Sequence, residues 1–419
     1  MLSPIRAIRR LKAKIREARA NHAVRHRPTG YRFAVADDIR FLNAADWDAA
    51  ARNGGFFLTR KYLEVLAGHA PENVSPRCAL IYDGEIPVAA IAAQVVELAG
   101  KRMVRPSTPA KAKSLLKGAL TPIAKKAATM IRERVLVCGN LLSWGQHGVA
   151  FAPGADPAAL WPAVAEALYR IRRGEKLLGD AALLVIKDLD ASQMPAATVL
   201  RQFSYRPLET DPNMLLEIRP GWRNFDDYLA SLDGKYRKSA RQLIATANDA
   251  GVTFEPLTDL VAVQDSLHAL YLQVHQAAAV QPVTLRPTYL PALSQTAADG
   301  FRCTVAKKDG AITGFVTSVK DGDTAVGYYI GYDRALAAAG VPLYLRLLHS
   351  TVEHAIALGC RRLSLGRTAL EPKSRLGAKP VPLHLWTRHR VPALNWLLRA
   401  ILQSVPHDEA PERNPFKAG

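Results

Sequence analysis

The sequence predicts an α/β protein built from two tandem copies of one unit, each a mixed sheet flanked by helices. Three observations predict it. A short run of residues recurs at a constant offset, Asp-Gly turns divide apolar strands at the same place in both copies, and strands alternate with helices from there on. A chain of 419 residues also exceeds what one hydrophobic core usually fills, so two domains are expected.

Leu58-Thr-Arg-Lys-Tyr62-Leu63-Glu-Val-Leu66 aligns with Leu285-Arg-Pro-Thr-Tyr289-Leu290-Pro-Ala-Leu293 at an offset of 227. Asp83-Gly84-Glu-Ile86 then aligns with Asp309-Gly310-Ala-Ile312 at an offset of 226. Asp-Gly between two apolar strands is a strong short-range hairpin signal. Further on, Leu178-Gly179 ends a helix before the strand Ala182–Ile186, and Leu358-Gly359 ends one before Arg362–Leu365. The offset has fallen to 180 there, so the first copy carries about 47 extra residues, an ordered series typical of a duplicated unit with an insertion.

In the second copy the unit reads helix 285–298, hairpin 302–321, third strand 323–332, long helix 341–358 and buried strand 362–366. A strand at Met214–Ile218 closes the first copy, near Arg219-Pro220-Gly221, and helices at 224–232 and 234–250 open the second. The expected organisation is a basic amphipathic segment over 1–30, a first domain over 31–218 and a second over 219–389. A C-terminal helix and tail follow over 390–419.

The net charge of +19 is concentrated. Residues 1–30 hold nine Lys and Arg against one Glu, and residues 101–134 hold ten against one, so the rest of the chain is nearly neutral. Ile5, Ile8, Leu11 and Ile15 form one narrow apolar stripe, and Leu116, Leu120, Ile123, Ala127 and Met130 form another. Basic flanks around such a stripe suit an anionic membrane surface. A basic helix packed on its own domain and a nucleic-acid contact are the rivals, the latter lacking any Phe, Tyr or Trp for base stacking in either segment. The second segment falls in the 47-residue excess, as a basic helical insertion in the first copy.

Hydrophobic residues at 49% and charged residues at 22% are those of a globular chain. The N-terminus lacks the apolar stretch of a secretory leader, and no window offers about 18 uninterrupted apolar residues for a membrane-spanning helix. Cys78, Cys138, Cys303 and Cys360 are widely spaced, which argues against a zinc site or disulfide framework and for a reducing cytoplasm.

Three stretches carry a family resemblance. They are Gly234-Lys235-Tyr236-Arg237-Lys238-Ser-Ala-Arg241, then Tyr329-Ile-Gly331-Tyr-Asp333 with Gly340-Val-Pro342, then Leu365-Gly366-Arg367-Thr368 with Glu371-Pro-Lys373. Together with the order helix, hairpin, strand, helix, strand, these resemble the GNAT acyltransferase superfamily. The pairing of two such domains is similar to the Fem-type transferases, which add amino acids to peptidoglycan precursors. The resemblance implies two tandem GNAT-like domains, with catalysis in the second and transfer of an acyl or aminoacyl group to an amine. The expected co-substrate is acyl-CoA or an acyl carrier protein, with no bound cofactor and no metal.

Such chemistry needs a base for the amine, donors for the oxyanion and stabilisation of the leaving group. The resemblance implies that the central strand Val326–Tyr332 splays from its neighbour and frees backbone N–H groups. Gly340, Val341 and Leu343 at the next helix start would offer N–H groups and a positive dipole end to a phosphate, unless this is a plain strand-to-helix turn. Strict alternation puts Tyr328 and Tyr332 on one face and Tyr329 on the other beside Gly327 and Gly331. With room beside it, Tyr329 is the candidate proton donor, core packing being the alternative. Asp333 is a candidate proton acceptor or a turn cap, and His275 a candidate base or a satisfied structural histidine. Arg367 and Lys373, just beyond a buried strand, are candidate contacts for a phosphate or carboxyl. Arg237, Lys238 and Arg241 are candidate phosphate ligands or a solvated face. In the first copy, small residues flank Trp144 and His147, so a ligand or the second domain is expected to approach closely there.

The expected function is therefore an N-acyltransferase on the inner face of the cell membrane, acting in lipid metabolism on an amphiphilic amine such as a sphingoid base or aminolipid. An aminoacyl-tRNA-dependent transferase modifying a peptidoglycan precursor or peptide is the alternative. A non-catalytic membrane or nucleic-acid adaptor is a third.

Overall fold

The computed structural model describes residues 27–99, 132–278, 281–391 and 413–417, with a few isolated positions besides. The basic segments expected at 1–30 and 101–134 and the C-terminal helix expected within 390–419 lie almost wholly outside the described residues.

The first half runs β1 (Arg32–Ala36), α1 (Ala44–Ala50), α2 (Arg60–His69), β2 (Val74–Asp83), β3 (Ile86–Ala99), β4 (Arg132–Cys138) and β5 (Val149–Phe151). It continues with α3 (Pro157–Gly174), β6 (Ala181–Leu189) and β7 (Arg206–Glu217). The second half runs α4 (Phe225–Ser231), α5 (Gly234–Asp249), β8 (Thr253–Pro256), α6 (Gln264–His275), α7 (Tyr289–Ala297), β9 (Phe301–Lys308) and β10 (Ala311–Asp321). Then come β11 (Thr324–Tyr332), α8 (Arg334–Ala338), α9 (Leu343–Ala357), β12 (Arg362–Ser364), α10 (Leu370–Arg375) and β13 (Lys379–His389).

Local chemistry sets the element ends. The side chains of Asn43 and Thr59 accept the N–H of Asp46 and Tyr62 and so cap α1 and α2. Asp156 caps α3, whose first residue is Pro157, a position where a missing N–H costs nothing. Asp309 and Gly310, at φ +49 and +78, are the two left-handed residues that a tight β9–β10 hairpin demands.

All strands join one sheet in the order β1-β2-β3-β4-β6-β13-β7-β12-β11-β10-β9-β8, with β5 beside β3. Among the described residues, only β4 with β6 and β11 with β12 run parallel. The sequence suggested a separate sheet for each copy; the structure fuses them by exchanging strands. β13, from the end of the chain, lies between β6 and β7 of the first half. β7 in turn pairs with β12 of the second half.

One core runs across both halves on one sheet face, joining Trp47, Phe57 and Tyr62 to Tyr271, Tyr289, Phe315 and Tyr328. On the other face α3 covers the first half, and α4, α5, α9 and α10 cover the second. The repeat-related Tyr62 and Tyr289 meet directly, with hydroxyls 3.0 Å apart. Tyr289 continues to the Tyr328 hydroxyl at 2.7 Å, and Asn140 Nδ2 donates to Tyr62 at 2.6 Å. Buried hydroxyls left unpaired would each be costly, so this chain fixes how the halves register.

Candidate active site

β11 and β12 pair over only three residues each, Thr324–Val326 against Arg362–Ser364. Beyond them the strands part, so from Gly327 onward the edge of β11 that faced β12 has no ladder partner. β12 ends in a turn at Gly366, φ +75. The side chain of Asn213 on β7 holds that turn by accepting from the Ser364 hydroxyl and the Gly366 N–H, both at 3.0 Å. The splay expected of the central strand is therefore present.

The tyrosines are not placed as strict alternation requires. The β10–β11 register jumps between Val316↔Ile330 and Ser318↔Gly327, leaving Thr317 opposite both Tyr328 and Tyr329. Thr317 Oγ1 fills the bulge, accepting from Tyr329 N at 3.0 Å and donating to Tyr329 O at 3.2 Å. One extra residue restarts the alternation. Tyr328 and Tyr329 consequently share a face, with rings 4.7 Å apart and nearly perpendicular.

Neither flanking glycine leaves substrate room beside Tyr329. A Cβ on Gly331 would lie 2.6 Å from the backbone N of Tyr271 and would also strike Phe315, so glycine is there to admit α6. Gly327 faces Thr351 and Leu365. Gly331→Ala is expected to destabilise the protein by about 1–3 kcal/mol through overpacking, measured as a lower denaturant midpoint. An unchanged midpoint would mean that α6 is free to move away.

Tyr329 is half-buried, donates its hydroxyl to Leu142 O at 3.3 Å and meets Tyr271 edge-on. Burial pushes its phenol well above the usual value, so it stays protonated. Asp333 caps α8, accepting from Ala335 N at 2.8 Å and Leu336 N at 3.1 Å. His275 stacks on Tyr271 and bonds Thr284 Oγ1 at 3.1 Å through Nε2.

At the start of α9, Gly340, Val341 and Leu343 already use their N–H groups within the loop, on Ala337 O, Leu336 O and Val341 O. The side chains of Val341 and Leu343 are buried. The open first-turn donors are instead those of Tyr344 and Leu345. On α5, Lys238 and Arg241 are exposed, and half-buried Arg237 reaches Ala230 O at 3.4 Å. The opposite face of α5 is the one that meets the fold. Lys235, Tyr236 and Ser239 line a cavity of about 190 Å³ against Leu348 and His349 of α9 and Arg375 of α10. Burial holds His349 down to about 3, so its imidazole is neutral.

Arg367 is committed to the first half. Its guanidinium pairs with the fully buried carboxylate of Asp188, which also takes the Lys187 amine and, at 3.0 Å, the Gly145 N–H. The Trp144 indole lies 3.0 Å from where a Gly366 Cβ would sit. Of the two approaches anticipated around Trp144 and His147, the one seen is that of the second half. Arg367→Met would strand Asp188 with a weakened cation set. Unpairing one member of a buried ion pair costs roughly 3–5 kcal/mol, so a loss of about 3 kcal/mol in chemical denaturation is expected. Normal stability with weakened donor binding would instead return Arg367 to a ligand contact.

His147 Nδ1 lies 2.7 Å from Ser143 Oγ, and Nε2 lies 3.1 Å from Asp321 Oδ2 of the second half. Asp321 Oδ1 also accepts Phe56 N at 2.5 Å. Ser143 and His147 are only 4% and 7% exposed, so this buried line ties the halves together. Sequence reasoning missed Asp188 and Asp321, because Arg367 and His147, their partners, lie in the opposite half, and it missed Lys187 and Ser143, whose roles follow from those two carboxylates.

Lys373 is different. It is 5% exposed, and burial lowers its amine to about 7. Among the described residues it forms no ion pair. Also among them, no cluster of three His, Cys, Asp or Glu side chains is placed to hold a metal, and no helix is long and apolar enough to cross a membrane.

Residues 234–374 match the family described as acetyltransferase (GNAT) domain. No curated protein matches the chain. Among solved structures, it is similar to the C-terminal domain of a putative lysylphosphatidylglycerol synthetase from Agrobacterium fabrum. That likeness is 15% identical, over 64% of this chain and 82% of that one, with a TM-score of 0.42. A tandem GNAT protein from the clavulanic acid biosynthesis pathway is also 15% identical, over 86% and 99%, with a TM-score of 0.46. FemX is 11% identical over 93% and 98%, with a TM-score of 0.44. Likenesses this distant say nothing about substrate.

Proposed function

We propose, from the GNAT acetyltransferase domain over residues 234–374, that the chain transfers an acyl group from acyl-CoA to the amine of a membrane-associated amphiphile of the sphingoid-base or aminolipid class. The observation that carries this reading is the parting of β11 from β12 after Val326 and Ser364. It leaves an edge of backbone donors and acceptors where an extended thioester arm can lie and where an oxyanion can be met.

The step assigns roles to two side chains of the matched domain, Tyr329 on β11 and Lys373 on α10 beyond β12. The acceptor arrives as an ammonium and must lose a proton. Lys373, with its amine near 7, is neutral often enough to take one. The free amine attacks the thioester carbonyl and the C–N bond forms. Backbone N–H groups of the β11 edge hold the oxyanion, the newly bonded nitrogen gives its second proton to solvent, and then the C–S bond breaks and the sulfur leaves as thiolate. Tyr329, whose phenol binds its proton more tightly than a thiol does, turns its hydroxyl from Leu142 O to donate a hydrogen bond to that thiolate, and solvent supplies the proton. The two basic segments support an amphiphilic acceptor by favouring an anionic surface.

The test is release of CoA thiol by purified protein given acyl-CoA and a sphingoid amine, with lipid mass spectrometry of cells lacking or overproducing the chain. Thiol release dependent on amine is expected. No release with any amine, alongside an unchanged lipid profile, would defeat the reading.

A further inference from the structure

A second pocket, between α3 of the first half and the end of β13 and outside the matched residues 234–374, has a composition that acyl transfer leaves unexplained. Its volume is about 440 Å³, and its walls include Arg27, Arg170 and Arg173, the end of β13 at Arg388, and the rings of Tyr169 and Phe203. Four arginines therefore line one space. The single carboxylate in the lining, Glu166, is already used on both oxygens. Oε2 accepts from Thr29 N and Thr29 Oγ1 at 2.8 and 2.7 Å, and Oε1 accepts from Arg170 at 3.0 and 2.7 Å.

Arg27, Arg173 and Arg388 form no ion pair among the described residues. Arg173 reaches only the Tyr169 hydroxyl at 3.2 Å, and Arg388 lies 5.9 Å from the Tyr205 ring centroid. The three like charges left beyond the Arg170–Glu166 pair repel one another, and an anionic ligand relieves that repulsion. Guanidinium forks match phosphate oxygens in pairs. The Tyr169 and Phe203 rings give the same space an apolar wall, which suits an anion attached to something greasy.

The position of the pocket selects the source of that anion. Thr29, two residues after Arg27 in the pocket wall, is clamped to Glu166. The 26 residues before Arg27 carry eight Lys and Arg against one Glu, so the basic segment leaves the described fold at this wall. We propose that the pocket binds the phosphate of an anionic phospholipid headgroup and thereby seats the first half on the membrane. This does not rest on the acyl-transfer reading, because it is read by binding alone.

Full-length protein would be co-sedimented with phosphatidylcholine vesicles with and without phosphatidylglycerol. Arg27→Ala/Arg173→Ala/Arg388→Ala would be compared with Arg52→Ala/Lys61→Ala/Lys379→Ala, which removes the same charge from exposed positions outside the pocket. At about fivefold per basic residue near an anionic surface, the pocket triple is expected to bind phosphatidylglycerol vesicles roughly a hundredfold more weakly. The control triple should lose much less. Arg173→Glu alone, at an exposed position, should reproduce the direction of the effect should the triple melt early. Equal losses in the two triples would reduce the pocket to diffuse charge, and no loss in the pocket triple would remove it from membrane binding. Calorimetry with glycerol 3-phosphate separates the sources of phosphate. Pocket-dependent binding of the soluble ligand with unaltered vesicle binding would overturn the lipid assignment.

Discussion

Lys373→Met is expected to lower turnover by about 10²–10⁴-fold, the range in which a positioned general base contributes. Methionine keeps the volume and the burial but cannot accept a proton. The wild-type rate should rise with pH through about 7 as the amine becomes neutral, and the variant should lose that limb while its residual rate follows the acceptor's own amine. The same substitution should act on stability in the opposite direction. The folded-state value near 7 lies below the ordinary 10.5. Below pH 7 both folded and unfolded states therefore carry the proton, and the buried ammonium destabilises the fold in full. Between about 7 and 10.5 the unfolded chain holds the proton that the folded one has released, so wild-type stability climbs with pH. The climb is of the order of 5 kcal/mol at most. Above 10.5 it levels off. Denaturation at pH 6 and pH 9 should show the rise in wild type and its absence in Lys373→Met. A variant with full turnover and the same pH dependence would assign the base elsewhere.

Tyr329→Phe is expected to reduce turnover by about 10²-fold, the lower end of that range. Its phenol is too weak an acid to surrender the proton to a thiolate and stabilises the leaving sulfur by donation alone. Substrate affinity should change little, because the interaction grows as the C–S bond breaks. The comparison is Tyr328→Phe, which loses the 2.7 Å bond to Tyr289 and should cost roughly 1–3 kcal/mol of stability with near-normal turnover. If turnover falls for Tyr328→Phe and not for Tyr329→Phe, the donor has been assigned to the wrong one of two adjacent phenols.

The repeat was legible because each copy announces itself locally. The matching runs around Tyr62 and Tyr289, the two-residue hairpins and the ends of the long helices are all properties of short windows, and the second-half elements fall within a few residues of where spacing puts them. The bulge at Tyr328–Tyr329 was not legible. It depends on Thr317 of the neighbouring strand, and nothing in Val326–Tyr332 itself breaks the alternation. Arg367 could be recognised as a strand-end cation, yet its partner Asp188 lies 179 positions earlier and no short window connects them. Lys238 and Arg241 marked α5 as basic, while Tyr236, Ala240 and Leu243 show that the other face packs. Lys373 was picked out by its motif, but its chemical interest comes from burial, which one sequence does not display.

The exchange of β7 and β13 sets a timetable for synthesis. About 160 residues separate the end of β7 from the start of β13, and a ribosome adding about 5–20 residues per second needs roughly 8–30 s to make them. Until then β6, whose Ala-Ala-Leu-Leu-Val-Ile run is destined for the sheet interior, offers an open apolar edge to any other strand nearby. The nascent first half thus leaves that edge of β6 uncovered until β13 has been made. A gene cut near residue 218 should yield two insoluble fragments whose solubility returns when they are made together.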